Sequence, residues 1–290
     1  MNATALSLVL VAAVVHAIWN LAAKRVSGGG ATFVWLYYTI SAVVFVPLIV
    51  GSLLLEPDRP QWSWLIAAAG TSILHVAYGV VLQRGYAVGD LSLVYPLARG
   101  TGPLLSVLAA VLLLGERPGW IGLAGALLIV SGVLVISTGG RGGPVSGSRR
   151  AGVGYGVLTG FTIAAYTLWD AHSVTALGVP PVVYFGSGAL LQSLLLMPYA
   201  LKRRGRGEVA ALWRDYRKEA FIVGLLSPFA YLLVLFALKI APVSLVAPAR
   251  ELSIVLGGLA AWLMLGEANA GRRLAGSVIV LAGIAAIAVA

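Results

Sequence analysis

The chain has 290 residues, of which 60% are apolar and only 10% charged, and its mean hydropathy is +0.96. Soluble domains run near 45–50% apolar and about 25% charged, so a water-soluble fold and any sizeable extramembrane domain are excluded. The formal charge of +10 sits mostly in short connections between apolar runs. That placement suits anionic lipid headgroups rather than nucleic acid.

At about 20 residues per crossing, the apolar runs predict ten transmembrane helices, near 3–23, 31–55, 62–86, 91–114, 118–138, 151–171, 180–201, 218–239, 243–265 and 270–289. The first carries no basic residue ahead of its apolar run and continues into Trp19 and Asn20, unlike a cleaved signal peptide. Most connections are short, so neighbouring helices run antiparallel. Residues 139–150 (GGRGGPVSGSRR) read as a flexible linker between two halves, 1–138 and 151–290. The stretch 202–219 reads as a basic loop lying on headgroups.

Along the spans, polar residues recur at helical spacing. His16, Trp19 and Asn20 lie at i, i+3 and i+4, with Lys24 one turn on, and Tyr166, Trp169 and Asp170 repeat the pattern in the sixth helix. Such stripes belong inside a bundle, because lipid penalises them. For Trp169 and Asp170, near a helix end, an anchoring role weighs as much as a functional one. His75 and Tyr78 share a face of the third helix, and Tyr231 repeats Tyr78 in the eighth. His16 and His75 are candidates to carry a proton, since imidazole titrates near neutral pH.

Arg99 and Arg250 are the strongest signal. Each lies eight or nine residues into its span, roughly 12–13 Å from an end, where a charge faces a partner or a wet cavity. Glu251 either reaches Arg99 across the interface between the halves or lines the cavity; as a helical neighbour of Arg250 it is expected to point elsewhere, about 100° away. Pro96 and Pro248 precede the arginines and either release the carbonyls of Ser92 and Ser244 to line a site or simply start helices four and nine as first-turn prolines. Trp19, Tyr78, Tyr95 and Tyr231 would supply the walls of a substrate site, with Asn20 a further substrate-binding candidate. Gly152, Gly156 and Gly160 mark close helix packing.

The two halves repeat each other. Ser92-Leu-Val-Tyr-Pro-Leu-Ala-Arg99 returns as Ser244-Leu-Val-Ala-Pro-Ala-Arg250, and each Arg is followed 17 residues later by the Glu of a Leu-Gly-Glu, at Glu116 and Glu267. Both glutamates read as capping groups at turns. Gly125 and Gly132 match Gly276 and Gly283, Ala77-Tyr78 matches Ala230-Tyr231, and Ile18-Trp19-Asn20 matches Leu168-Trp169-Asp170. With five helices per copy, the second copy crosses the membrane the opposite way up, as in many secondary transporters.

These features resemble the EamA-type drug/metabolite transporter superfamily: two five-helix copies, each closing with Pro, a long apolar helix, Leu-Gly-Glu and a Gly-containing last helix. His16-Ala17-Ile18-Trp19-Asn20 resembles one branch of it. The resemblance implies an all-α multi-pass protein of the cell (inner) membrane that exports or exchanges a small metabolite by alternating access, coupled to protons or a counter-substrate. It also implies cytoplasmic termini. Loop charge implies the reverse: connections after helices one, three, five, seven and nine hold fifteen Lys and Arg, and the others hold three, Arg59, Arg117 and Lys239.

The paired arginines suggest a carboxylate-bearing substrate such as an amino acid. An intramembrane enzyme, or a non-transporting protein acting on a lipid-like ligand, is the alternative. No HExxH, GxSxG or Walker A sequence supports it. Neither cofactor nor metal is expected; the partners expected are the small-molecule substrate, lipid and the coupling ion or solute, with no nucleic acid.

Overall fold

The computed structural model describes residues 1–26, 30–55, 60–89, 91–137, 149–257 and 270–290. Its helices are α1 (Ala3–Lys24), α2 (Gly30–Leu55), α3 (Trp62–Val88), α4 (Leu91–Leu113), α5 (Gly119–Ser137), α6 (Arg149–Thr175), α7 (Pro181–Ile240), α8 (Val243–Ala249) and α9 (Ala270–Val289). Eight stretches among them are long and apolar enough to span a bilayer. The bundle is apolar outside and polar within. Leu55, Trp62 and Trp120 are more than four-fifths exposed, while Thr71, Ser72, Thr159, Asp170 and Glu251 are buried. Lipid replaces water as the outer solvent, and the polar groups find one another inside.

The helix ends follow from local chemistry. Asn2 caps α1, its side-chain oxygen accepting from the Ala5 amide at 2.7 Å. Pro181, at the first position of α7, has its φ preset for a helix. At the end of α4, Gly115 takes φ +67°, and the Glu116 amide donates back to the Ala110 carbonyl at 3.1 Å. The helix thus ends on a left-handed residue, a conformation glycine adopts without a Cβ penalty, which accounts for the glycine of Leu-Gly-Glu.

Two sequence expectations change. The 202–219 loop is helical: every residue of α7 from Pro181 to Ile240 is in helical conformation. α7 does not run straight. Thr39 and Ser41 on α2 bond Ser193 Oγ and the Gly224 carbonyl respectively, yet a straight helix would put residues 193 and 224 about 47 Å apart. The run therefore doubles back into two arms that both lie on α2. After Gly207 the basic stretch is rich in good helix formers, with Leu212 buried and Trp213 packed on Phe221. Charge alone had suggested a loop, and propensity overrides it.

The ninth span, expected as one helix over 243–265, is broken. α8 ends at Ala249, Arg250 and Glu251 form a turn, and helix resumes over 252–257. Pro248 lacks an amide, and the amides of Glu251, Ser253 and Ile254 each bond three residues back rather than four. The rest of that span, Glu267, the linker at 139–148 and the side chains of Lys24, Ser92 and Pro96 lie outside the described residues.

The halves interlock. α1 packs on the second arm of α7, with Val9 and Ala12 in one cluster with Val234 and Leu235. α6 packs reciprocally on α3, where Trp169 lies against Gly70 and donates from its indole to the Ala67 carbonyl at 3.0 Å. At one end of the bundle the Met1 amine donates to the Ile287 carbonyl and the Asn2 side-chain amide to the Ile240 carbonyl, both at 3.1 Å. At that end both carboxylate oxygens of Glu116 also accept the Val243 and Ser244 amides at 2.8 Å. A carboxylate from the first copy thus caps the α8 N-terminus of the second, where unpaired amides and the helix dipole favour an anion.

Candidate functional site

α4 and α8 start from opposite ends of the bundle and bring their arginines to one level. Arg99 Nη2 lies 2.7 Å from Glu251 Oε2, and Arg250 Nε lies 3.8 Å from Glu251 Oε1. Glu251 is 1% exposed. A carboxylate held between two guanidiniums from inverted copies is the electrostatic centre of the protein. Of the two sequence expectations for Glu251, the reach to Arg99 is the observed one. The divergence from Arg250 is not observed, because the turn at 250–251 replaces the helical 100° step. Arg250 Nη2 also donates to Tyr166 Oη and Thr167 Oγ1, both at 3.3 Å, and its guanidinium lies 5.7 Å from the Tyr166 ring centre.

The cluster is incompletely satisfied. Arg99 Nε is buried and makes no hydrogen bond among the described residues, and Glu251 Oε2, despite its 2.7 Å approach to Arg99 Nη2, lacks one of good geometry. Elsewhere in the bundle Ser244 Oγ and Trp19 Nε1 are likewise open among the described residues. Buried donors left open in this way are where a polar ligand gains most.

A second cluster adjoins the first. Asp170, fully buried on α6, accepts from Tyr184 Oη at 2.5 Å and from Tyr231 Oη through its other oxygen. His75 Nε2 stands 3.9 Å from Asp170 Oδ2. The His75 ring stacks on Tyr166 at 4.3 Å and meets Tyr231 edge-on at 5.7 Å. Tyr78 contacts the same Tyr166 ring edge-on. Tyr166 therefore joins the two clusters.

Of the residues singled out in the sequence, Arg99, Arg250, Glu251, His75, Tyr78 and Tyr231 converge. His16 lies within electrostatic reach of both Arg99 and Arg250, and Tyr95 within reach of Arg99, without a hydrogen bond to either among the described residues. His16 stacks edge-on with Trp19 at 4.6 Å, and the Asn20 amide bonds back to the His16 carbonyl at 2.9 Å, within α1. Tyr95, one turn before Arg99 on the same side of α4, is 38% exposed. The sequence puts Asp170 and Tyr166 in an inward stripe without singling them out for the site, and Tyr184 carries no sequence signal of its own. The available signal was Asp170 itself, since a carboxylate deep in an apolar bundle needs donors.

The sequence matches the EamA-like transporter family over residues 3–138 and 150–289. A solved crystal structure of a protein is similar in fold, with 18% identity over 100% of this chain and 98% of that one, and a TM-score of 0.77. No curated protein matches. Two matches to one family cover nearly the whole chain, on a bundle whose two arginine-bearing helices start from opposite ends and meet at one glutamate: the chain belongs to the EamA-like transporter family, within the drug/metabolite transporter superfamily.

Proposed function

We propose that this protein is a secondary transporter, exporting or exchanging a small carboxylate-bearing metabolite, with an amino acid as the first candidate, and that it is not an enzyme. The observation that carries the reading is the buried Arg99–Glu251–Arg250 arrangement. A carboxylate already fits between the two guanidiniums, and Arg99 Nε beside it has no partner among the described residues. A substrate carboxylate competes for that place and takes the open donor in the fork geometry guanidinium favours. Because one arginine comes from each inverted copy, rocking one copy against the other exposes the site to alternate sides. Trp19, Tyr78 and Tyr231 form the walls, with Asn20 and Tyr95 toward the approach and His16 and His75 as the titratable groups nearby.

Uptake of each of the common amino acids into proteoliposomes, with and without the same amino acid trapped inside, tests the reading. Trans-stimulated uptake of at least one is the expected result. No movement of any of them, with the protein folded and inserted, rejects the substrate class.

In this reading the protein lies in the cell inner membrane as two copies, 1–138 and 151–290, with the basic connections in the cytoplasm, which the charge of those connections supports. The 202–219 segment, although helical, stays on that side because it holds seven of the Lys and Arg residues. The chain has no native cysteine, and nothing lies within 4 Å of a side chain added at Gly207. Gly207→Cys is therefore expected to react with an impermeant maleimide only after the cells are permeabilised. Labelling of intact cells reverses the orientation.

A further inference from the structure

Asp170 is not needed to hold the arginines, yet it is the most completely buried carboxylate among the described residues. Tyr184 and Tyr231 donate one hydrogen bond to each of its oxygens, which suits the ionised form. On its open side stands His75. That ring meets an oxygen at each nitrogen: Nδ1 is 2.9 Å from the Thr71 carbonyl, and Nε2 faces Asp170 at 3.9 Å. A carbonyl and a carboxylate can only accept, so a ring that turns an N–H toward each of them carries two protons and pairs its charge with Asp170 at ion-pair distance. A neutral ring with its proton on Nε2 needs the Thr71 hydroxyl, 3.1 Å from Nδ1, to donate instead. Neutral His75 with its proton on Nδ1 turns the Nε2 lone pair toward the carboxylate, leaving one buried negative charge without a counter-ion, a costly state inside a membrane.

We infer that His75 and Asp170 together form the proton-binding site of the transport cycle, the proton residing on His75 Nε2 and held there by the Asp170 carboxylate. The inference deepens the transporter reading and rests on it for the word transport; the proton site itself stands on the geometry. Loading adds one proton to Nε2 from the water of one side. Release returns that proton to the water of the other side and leaves the Nδ1–H ring beside the bare carboxylate.

The groups facing the pair are Tyr78 beside His75 on α3, Tyr166 on α6, Tyr184 and Tyr231 from the two arms of α7, and Arg250 after α8, which reaches it through Tyr166. Thr71 contributes a hydroxyl 3.1 Å from Nδ1. Arg250 donates to the Tyr166 hydroxyl while the Tyr166 ring stacks on His75. An anion that draws Arg250 away thus alters the environment of the proton site by direct contact.

The site also breaks the repeat symmetry. The counterpart of Asp170 in the first copy is Asn20, and the register that pairs Tyr78 with Tyr231 pairs His75 with Pro228. Neither counterpart titrates, so the cycle carries one proton here rather than two.

Nitrogen-15 NMR of histidine-labelled protein in lipid nanodiscs tests the site without any substrate. The chain has three histidines, and His75→Gln identifies the signals of His75. At about pH 7, near the ordinary midpoint of imidazole, the expected result is both ring nitrogens protonated in the wild type and only one in Asp170→Asn. A ring that is neutral in the wild type, with the Thr71 hydroxyl donating to Nδ1, overturns the proposal. So does a ring protonated equally in both proteins.

Proteoliposomes carrying an imposed gradient of one pH unit, with an amino acid that the wild type moves, give the second arm. One coupled proton supports up to about tenfold accumulation; Asp170→Asn is expected to equilibrate the amino acid without concentrating it. Accumulation by the Asn variant equal to wild type overturns the coupling role. If the wild type moves no amino acid while the NMR result is as expected, the carboxylate-substrate reading fails and the proton site stands.

Discussion

Arg99→Lys and Arg250→Lys are each expected to insert and fold while lowering transport at least about tenfold, equivalent to some 1.4 kcal/mol. Lysine keeps the positive charge that Glu251 needs, so the buried carboxylate is not abandoned. What it loses is the planar fork. At position 99 that removes the open Nε donor; at position 250 it removes the paired contacts to Tyr166 and Thr167. A point-like ammonium cannot hold Glu251 and a substrate carboxylate in two fixed directions. Initial uptake rates of the amino acid best moved by the wild type, measured on protein that elutes as one sharp species, provide the check. Wild-type rates from both lysine variants exclude recognition by the guanidinium fork. Misfolding of either variant assigns the arginines a structural task instead.

Where α5 meets α9, the last helices of the two copies, the structure has almost no slack. A Cβ at Gly132 would lie 2.7 Å from the Gly276 carbonyl oxygen, and one at Gly276 would lie 2.8 Å from that of Gly132. Gly125 and Gly283 repeat the relation a little under two turns along, at 2.8 and 2.6 Å. The obstructing atoms are backbone, so no side-chain rotation relieves the clash and the helices must separate. Overpacking of this kind costs on the order of 2 kcal/mol, and Gly132→Ala or Gly276→Ala should lower the melting temperature in detergent by about 4–8 °C. Separation forced by one alanine makes room for the other, so the double variant is expected to lose less than the sum. Melting of Gly276→Ala at the wild-type temperature, or full additivity of the pair, would contradict this packing.

Much of this was legible in one dimension. Hydropathy placed the crossings because a bilayer imposes a fixed length of apolar chain on every helix, a constraint that needs no partner. The repeat, the depth of Arg99 and Arg250 and the matched glycines of the last helices were equally local, since each is a spacing along one segment. The same reasoning failed at 202–219, where a count of charges hid a helical propensity. It failed again in the ninth span, where an apolar run hid the break at 250–251 and Pro248 read equally as a residue that starts a helix.

The tertiary structure alone decided which polar groups meet. A 3.6-residue period tells which face of a helix turns inward, but the partner on the facing helix depends on crossing angle, register and the order in which helices pack. Hence Glu251 was known to be deep, though not that a turn lets it serve both arginines. Asp170 was known to face inward, though not that Tyr184, Tyr231 and His75, from α7 and α3, converge on it. Lipid forces every buried polar group to find a partner, and the sequence shows that need in each helix separately. Only the packing of the two inverted copies against each other determines how it is met.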